Sequence, residues 1–252
     1  MQGLSGRVAV VTGAMRGVGF GIAAQLQARG AIVVITDIDQ PGLDAAVAEL
    51  GGATTGLLCD VTDQQQVRSM YEQVVARHGR LDVVVANAGV GDSAPLGAIT
   101  EEQFDKIFGI NVKGVLFTVQ EALAHLQRGG SVVMIGSTAS VRGESGMSLY
   151  CGSKAALRGV LRAWITDVKG SGVRVNIVSP GAVDTPSLRL AFAGASGPEH
   201  VDANVSRMGE GSPLGRLMQT ADIGNAVAFL ASDDAGGVTG VELFVDGGVA
   251  QT

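Results

Sequence analysis

Short apolar runs rich in β-branched residues alternate along the chain with longer segments in which apolar residues recur at helical spacing. Most of the short runs are apolar without interruption, which is typical of parallel strands that are covered on both faces of a sheet. Seven runs are predicted to be strands: 7–13, 31–36, 54–60, 81–89, 129–137, 172–180 and 240–248. The segments predicted to be helices are 17–29, 41–50, 62–78, 100–127, 149–169 and 220–232.

Strict alternation of strands and helices implies right-handed crossovers between parallel strands. We therefore predict an α/β fold, a doubly wound parallel sheet of the Rossmann type with about seven strands and helices on both faces. The sequence shows no linker and no internal repeat, so residues 1–252 are expected to form a single domain. Thr62 with Gln65, and Thr100 with Gln103, have the spacing of helix-starting capping boxes.

One segment departs from the alternation. Residues 184–215 mix helix formers with Gly, Ser and Pro between the sixth strand and the last helix. A long irregular segment in a compact domain usually covers a binding site. We expect a substrate lid or loop here, with a mobile surface loop as the alternative.

Composition and charge exclude several classes of protein. The net charge is −6 and no run of Lys or Arg exceeds a pair, so a phosphate-neutralising basic surface for nucleic acid is not expected. No apolar stretch reaches the length of a membrane span, and no signal peptide is recognisable before the first strand, so we expect a cytoplasmic protein. Cys59 and Cys151 are expected to be free thiols, and no metal site is expected because they and the histidines share no ligand spacing: His78, His125 and His200.

A glycine-rich turn joins the first strand to the first helix. Gly13, Gly17 and Gly19 lie in "VVTGAMRGVG", where glycines let the backbone turn sharply and approach a ligand closely. The N-terminus of a helix attracts phosphate groups through its free N–H groups and partial positive charge. The spacing differs from the G-x-G-x-x-G fingerprint, but its place between strand and helix favours a pyrophosphate site over a tight turn without a ligand.

Acidic residues follow the next two strands. Asp37 closes the second strand, where a carboxylate can bind the adenosine ribose hydroxyls and repel a 2′-phosphate, so NAD is expected rather than NADP. Arg16, beside the glycine turn, would instead favour the phosphate of NADP. Asp60 ends the third strand and is expected either to bind the adenine amino group or to start the next helix.

Tyr150 and Lys154 lie four residues apart in "SLYCGSKAAL", on one face of a predicted helix. An ammonium group beside a phenol favours the phenolate and would lower the tyrosine pKa from about 10 toward neutrality. Such a tyrosine could act as a general acid and base. The pair alone also occurs by chance on many helix surfaces.

Further motifs accompany this pair in a fixed order. They are "TGAMRGVG" (12–19), "NAG" (87–89), "GINVKG" with Asn111, Ser137 thirteen residues before Tyr150, "SPGAVDTP" (179–186) and "DGG" (246–248). The set resembles that of the short-chain dehydrogenase/reductase family, in its small single-domain branch, and the resemblance covers essentially the whole sequence. Ala86, where the family usually has asparagine, and Gly136, where a second serine is common, are small departures.

The resemblance implies a role for each matched residue. Tyr150 would exchange a proton with the substrate oxygen, while Ser137 would donate a hydrogen bond to that oxygen. Lys154 would bind the nicotinamide ribose, and Asn111 would hold a water that links this lysine to solvent. The residues expected to contact the cofactor are Gly13, Arg16, Gly17, Val18, Gly19, Asp37, Ile38, Asp60, Val61, Asn87, Ala88, Gly89, Tyr150, Lys154, Pro180, Gly181, Val183 and Thr185.

The expected activity is hydride transfer between NAD(H) and a small secondary alcohol or ketone, with NADP a less favoured cofactor. The predicted helix at 149–169 is apolar on more than one side, which suggests pairing with a second copy, and the family usually forms tetramers. A monomer with a thick core is the alternative. The alternative is a non-catalytic dinucleotide-binding sensor or scaffold of the same fold. A methyltransferase would leave Ser137 and the Tyr–Lys pair unexplained.

Overall fold

The structure is a computed structural model that describes residues 3–252, apart from the side chain of residue 195; Met1, which entered the expectation about a signal peptide, lies outside this range. Seven strands form one parallel sheet in the order β3-β2-β1-β4-β5-β6-β9. These are β1 (Val8–Thr12), β2 (Ile32–Asp37), β3 (Thr55–Leu58), β4 (Leu81–Ala86), β5 (Leu126–Ile135), β6 (Arg174–Pro180) and β9 (Glu242–Val245). A separate small sheet pairs β7 (Val183–Asp184) with β8 (Met218–Gln219).

Nine α-helices accompany the strands within the described residues. They are α1 (Gly17–Ala28), α2 (Gln40–Leu50), α3 (Gln64–His78), α4 (Glu101–Phe108), α5 (Val115–Ala122), α6 (Ser148–Asp167), α7 (Pro186–Ser196), α8 (Val201–Glu210) and α9 (Thr220–Ala231). The predicted fold class is confirmed. Across residues 3–252, none of the helices combines the length and apolar character needed to cross a bilayer.

Two hydrophobic cores lie on opposite faces of the sheet. Ala9 and Val11 of β1 point toward the core under α1, α2 and α9, whereas Val8 and Val10 point toward the core under α3, α5 and α6. Because side chains alternate between faces along a strand, a strand covered on both sides must be apolar at every position. This explains the uninterrupted apolar runs in the sequence.

The segment predicted to be helical at 100–127 is helical over most of its length, but it contains a π-turn and ends earlier than predicted. The segment forms α4, a π-helical turn at Gly109–Gly114 and α5, and the chain enters β5 at Leu126. A π-turn places one extra residue in the helix and often marks a functional site. Here it presents Asn111, whose side-chain amide donates to the carbonyl of Val90 at 2.9 Å and accepts from the Val90 amide at 2.8 Å.

One of the two predicted capping boxes is confirmed. Thr100 and Gln103 form the reciprocal pair at the start of α4. The box predicted at Thr62 is wrong, because the carboxylate of Asp63 caps α3 by accepting from the amides of Gln65 and Gln66. Thr62 instead donates its hydroxyl and its amide to Asp60.

The segment at 184–215 is more regular than expected, because most of it forms α7 and α8. Thr185 caps α7 by accepting from the Leu188 amide, and Pro186 occupies the first turn, where its missing N–H is not needed. Arg189 donates to both carboxylate oxygens of Asp184 and to Asp202 of α8. The bidentate contact fixes the base of α7 to β7, and the contact with Asp202 joins the two helices.

Candidate active site

The strand order reverses between β1 and β4, and the carboxyl ends of these two strands flank a crevice where open α/β sheets bind their ligands. Asn87 links the two strand ends, since its side-chain amide donates to the carbonyls of Thr12 and Gly13, both at 2.8 Å. The hydroxyl of Thr12 accepts from the amides of Asn87 and Ala88. The position of the glycine turn relative to β4 is therefore fixed by direct hydrogen bonds.

Two glycines of the turn have left-handed backbone angles, Gly13 with φ +63° and Gly17 with φ +62°. A Cβ at position 13 would lie 2.7 Å from the Ala88 Cα, and one at position 19 would lie 2.5 Å from the Asn87 amide nitrogen. Both distances are too short for a side chain. The turn requires glycine for its shape, which leaves its backbone accessible to a ligand.

The first turn of α1 fits a pyrophosphate group. Arg16, the residue before the helix, has an extended backbone and caps no N–H group, and the first turn carries no acidic residue. The free N–H groups of Gly17, Val18 and Gly19 therefore provide the donors and the positive end of the dipole that phosphate oxygens need. Thr185, from the far wall of the crevice, approaches to 3.9 Å from the position of a Cβ at Gly17.

The end of the crevice beside β2 carries a carboxylate. Asp37 is half-buried at the end of β2, where its carboxylate accepts from the amides of Met15 and Ile38 at 3.2 and 2.9 Å. Ile38 leaves 69% of its surface exposed beside this carboxylate. The Arg16 guanidinium is exposed as well. Both residues that bear on the choice between NAD and NADP thus lie at the same end of the crevice.

Asp60 does not start the next helix, since Asp63 does. One oxygen of the Asp60 carboxylate accepts from the Thr62 amide and hydroxyl, both at 2.8 Å. The next residue, Val61, is buried and would contact a Cβ at Gly114 at 2.8 Å. The segment that follows β3 is therefore packed directly against the π-turn that carries Asn111.

Ser137 lies close enough to Tyr150 for its side chain to influence the tyrosine pKa. The tyrosine ring also lines the cleft beside Gly91, where a Cβ would lie 3.8 Å from it. Ser137 follows β5, and its hydroxyl accepts from the Ala139 amide at 3.1 Å. This leaves the serine O–H to donate to one partner at a time.

The pKa of Tyr150 differs in direction from the sequence-based expectation. Burial raises it above the ordinary value of 10.0, the hydrogen bond with Ser137 opposes this rise, and the charges of Cys151 and Glu144 add to it. Lys154 is not among these influences. The tyrosine pKa is therefore raised by burial, and its lowering by Lys154 together with a bound nicotinamide stays a prediction.

Lys154 is buried on α6, one turn after Tyr150. Its ammonium donates to the Ile135 carbonyl at 2.9 Å and lies 5.8 Å from the centre of the tyrosine ring. Burial lowers its pKa from 10.5 to about 8, so the amine carries its charge at neutral pH only against the cost of desolvation. A ligand with hydroxyl groups near this amine would supply hydrogen bonds that the protein interior does not.

Asn111 lies beneath the same cleft. Besides its two bonds to the Val90 backbone, its amide lies 3.0 Å from the Ser153 hydroxyl, which donates to the Tyr150 carbonyl. A Cβ at Gly89 would approach both the Asn111 side-chain oxygen and the Lys154 ammonium at 3.3 Å. The four residues expected to be catalytic therefore share one region around the carboxyl ends of β4 and β5.

The remaining cofactor-contacting candidates form the wall beyond β6. Pro180 ends that strand, and Gly181 lies against the backbone of Asp246, where a Cβ would be only 2.9 Å from the aspartate Cα. Val183 is buried in β7, and Thr185 starts α7. This wall faces the glycine turn across the crevice.

Gly136, the departure from the family pattern, has a structural reason. A Cβ at this position would lie 2.3 Å from the Ser179 hydroxyl and 2.8 Å from Ile177. We expect Gly136→Ser to destabilise the protein by about 1–3 kcal/mol through overpacking, and Ser179→Ala in the same chain to recover part of this loss. Urea unfolding of the single and double variants measures both effects. An equal loss in the two chains would show that Ser179 is not the obstacle.

Sequence reasoning missed several residues that shape the site. The link that Thr12 and Asn87 make between strand ends could have been suspected from polar residues at the ends of apolar strands. Ser140, Ser179 and Glu242 form a buried hydrogen-bonded group behind Ser137, and only the three-dimensional contacts reveal it. Their positions along the chain are far apart and follow no motif.

A crevice at the point where the strand order reverses, with a serine, a tyrosine and a buried lysine at one end, is typical of a class of α/β oxidoreductases. The sequence matches the family model described as "Enoyl-(Acyl carrier protein) reductase" over residues 13–250. The chain belongs to the short-chain dehydrogenase/reductase family. Members of this family use NAD or NADP.

Similar proteins cover the full length of the chain. It is 38% identical to "Oxidoreductase asL5" of Sarocladium schorii, covering 100% of this chain and 98% of that protein. It is 34% identical to the 3-oxoacyl-(acyl-carrier-protein) reductase FabG of Thermotoga maritima, covering 98% of each. The crystal structure of levodione reductase superimposes with a TM-score of 0.91 at 30% identity, covering 99% of each chain.

Proposed function

We propose that this oxidoreductase transfers a hydride between NAD(H) and a secondary alcohol or ketone, with Tyr150 as the general acid and base. The observation that carries the proposal is that Ser137, Tyr150, Lys154 and Asn111 converge at the end of a crevice whose glycine turn fits a pyrophosphate. A dinucleotide-binding sensor or scaffold would not need this convergence.

The residues present fit a nicotinamide dinucleotide, which when bound supplies or accepts the hydride. The N–H groups at the start of α1 would hold its phosphates, Asp37 its adenosine ribose and Lys154 its nicotinamide ribose. Ser137 donates a hydrogen bond that orients the substrate oxygen and stabilises the charge that develops there. Tyr150 gives its proton to that oxygen in reduction and takes it back in oxidation.

The proton path continues behind the tyrosine. Lys154 is held between the Ile135 carbonyl and the Asn111 region, and a pKa of about 8 lets it exchange a proton near neutral pH. Asn111 uses its side chain to hold Val90 and Ser153, so its proposed part in the relay falls to its backbone and to a water beside it. The proposed role of Asn111 in the proton relay therefore depends on its backbone, which lies in the π-turn.

The cofactor is proposed to be NAD rather than NADP, since Asp37 places a carboxylate at the end of β2. We expect Asp37→Ala to raise the ratio of NADP to NAD affinity at least tenfold, because about 1.4 kcal/mol of charge repulsion corresponds to that factor. Fluorescence titration with both reduced cofactors measures the ratio. Asp39→Ala, which removes an exposed carboxylate that caps α2, is the matched control. An unchanged ratio in the Asp37 variant would contradict this assignment.

The substrate is proposed to be small and without a strong negative charge. The three arginines that could bind an anionic or acyl-thioester substrate already have partners: Arg142 donates to the Val249 carbonyl, Arg189 to Asp184 and Asp202, and Arg207 to Asn204. Glu144 adds negative charge near Tyr150. These contacts favour neutral ketones, cyclic alcohols and polyols.

The direct test is to mix the protein with NAD or NADP and a panel of secondary alcohols, and to follow the absorbance of the reduced nicotinamide. Turnover with neutral alcohols supports the proposal. Tight cofactor binding without turnover on any alcohol or ketone would favour the non-catalytic sensor or scaffold instead.

We further propose a cytoplasmic homotetramer. Trp164 and Val160 of α6 are only partly buried in the single chain, and a groove of about 720 Å³ beside Phe244 and Leu214 opens at the carboxyl-terminal end. Leu214 leaves 63% of its surface exposed there. Light scattering of the purified protein distinguishes tetramer, dimer and monomer.

A further inference from the structure

A buried carboxylate lies behind the catalytic serine. Glu242 begins β9, the edge strand of the sheet, and only 9% of its side chain is exposed. One of its oxygens accepts from the hydroxyls of Ser140 and Ser179, both at 2.7 Å. The other lies 2.5 Å from the Arg158 guanidinium of α6 in an ion pair that lacks hydrogen-bond alignment.

These contacts join three parts of the site. Ser140 belongs to the short 3-10 turn that follows Ser137, and Ser179 belongs to β6. Arg158 lies on α6 one turn beyond Lys154. A charge buried with this little exposure must be paired and hydrogen-bonded to be tolerated, and Glu242 meets this requirement with partners from the serine turn, the neighbouring strand and the tyrosine helix.

The turn that follows Ser137 ends at Ser140, and few hydrogen bonds other than that of the Ser140 hydroxyl hold this end. Within the turn, the Ala139 amide donates to the Ser137 hydroxyl and the Ser140 amide to the Ser137 carbonyl. These are local bonds, which shape the turn but do not attach it to the sheet. At the near end of the turn, the Gly136 amide donates to the Val178 carbonyl of β6 at 2.8 Å. At the far end, the Ser140 hydroxyl provides the attachment through Glu242.

We propose that Glu242 is a positioning residue, which holds the far end of the Ser137 turn against β9 through the Ser140 hydroxyl and thereby keeps the Ser137 hydroxyl directed at the substrate oxygen. The expected effect of Glu242 on turnover rests on the proposed function. The attachment of the turn by Glu242 does not depend on that function. Glu242 touches no reacting atom. A small displacement of an oriented donor is enough to lower the rate of a reaction strongly.

The chain offers a matched pair of variants. Ser140→Ala and Ser179→Ala each delete one hydroxyl that donates to the same oxygen of Glu242 at the same distance, 2.7 Å. Only the first releases the Ser137 turn. We expect Ser140→Ala to lower kcat about tenfold with the cofactor affinity unchanged, while Ser179→Ala leaves kcat within about twofold despite a similar loss of one hydrogen bond.

A second readout concerns the pH profile. The Ser137 hydrogen bond opposes the rise in the Tyr150 pKa that burial, Cys151 and Glu144 produce. Displacing Ser137 therefore moves the midpoint of alcohol oxidation to higher pH in Ser140→Ala and not in Ser179→Ala. A purely structural loss of stability would leave this midpoint in place.

Hydrogen exchange tests the attachment without any turnover. We expect the amides of residues 139–141 to exchange roughly fivefold to tenfold faster in Ser140→Ala, and not in Ser179→Ala, because one anchoring bond is lost. Glu242→Gln, which keeps an acceptor oxygen, should stay close to the wild type in this region. Glu242→Leu should raise the exchange rate of these amides as much as Ser140→Ala does. Combining Ser140→Ala with Glu242→Leu should raise it little further, because both substitutions break the same hydrogen bond.

The outcomes separate the two proposals. If the wild type turns over no alcohol or ketone, the proposed function fails, and exchange at residues 139–141 still decides whether Glu242 holds the turn. If the wild type is active but both serine variants lose kcat equally, or exchange near Ser137 is unchanged in Ser140→Ala, the positioning role of Glu242 is overturned.

Discussion

Tyr150→Phe is expected to lower kcat by about 10²–10⁴-fold, the usual contribution of a positioned general acid and base. The variant keeps the ring that lines the cleft beside Gly91 and removes only the phenolic hydroxyl. Cofactor binding should be retained, because the glycine turn and Asp37 are untouched. Steady-state rates with the best alcohol of the panel, together with fluorescence titration of NADH, measure both properties.

The chain supplies its own control for this substitution. Tyr71, the only other tyrosine, is fully buried in α3, where its hydroxyl donates to the Thr118 carbonyl at 2.9 Å. Tyr71→Phe deletes a tyrosine hydroxyl and loses about 1 kcal/mol of stability with the lost hydrogen bond, but it should leave kcat near the wild-type value. If Tyr150→Phe binds the cofactor and turns over at the wild-type rate, the proposed mechanism is contradicted.

Lys154→Met is expected to change the dependence of stability on pH. Burial lowers the pKa of Lys154 from 10.5 to about 8, so between these two pH values the unfolded chain binds more protons than the folded one. Stability from this group therefore rises as the pH increases from about 8 to 10.5. At neutral pH, keeping the buried Lys154 charged lowers the free energy of unfolding by about 3 kcal/mol. The methionine variant does not carry this cost.

The measurement compares urea unfolding of wild type and variant at several pH values from 7 to 10. The wild type should gain stability relative to Lys154→Met across this range. Cys59 acts in the opposite sense, because its pKa is raised from 9.0 to about 11 and its contribution is lost as the pH rises through that interval. Since both proteins contain Cys59, its effect cancels in the difference.

An exposed lysine provides the reference for this experiment. Lys169 lies just beyond α6 at the protein surface. The substitution Lys169→Met therefore removes an exposed ammonium group, whereas Lys154→Met removes a buried one. The stability difference of Lys169→Met from the wild type should stay constant between pH 7 and pH 10. If Lys154→Met behaves in the same way, the amine is not desolvated as the structure indicates. The variant should also turn over slowly, because the nicotinamide ribose loses its proposed partner.

The strands of the sheet could be predicted because the apolar pattern that marks each strand lies within a few consecutive residues. Each parallel strand is covered on both faces, so the sequence of residues such as Val8, Ala9, Val10 and Val11 is apolar throughout and easily recognised. The capping box at Thr100 was predictable for the same reason, since both of its partners lie within one turn. Helix ends were less predictable where side chains compete, and Asp63 displaced Thr62 because an ionised carboxylate is a stronger acceptor for amides.

Features that depend on distant contacts were not predictable from the sequence. The π-turn at Gly109–Gly114 is tied to bonds between Asn111 and Val90, which helical periodicity does not report. The direction of the Tyr150 pKa depends on how deeply the ring is buried, and the sequence shows only that Lys154 is near. The requirement for Gly136 follows from Ser179, which lies on a neighbouring strand far along the chain.

The place of β9 in the sheet has a consequence for biosynthesis. Because β9 follows the other strands of the sheet along the sequence and pairs with β6 at the sheet's edge, a nascent polypeptide on the ribosome exposes the edge of β6 until residues beyond 240 have emerged. Exposed strand edges promote aggregation. A chain truncated before residue 240 would thus lack β9 and leave the edge of β6 open to aggregation.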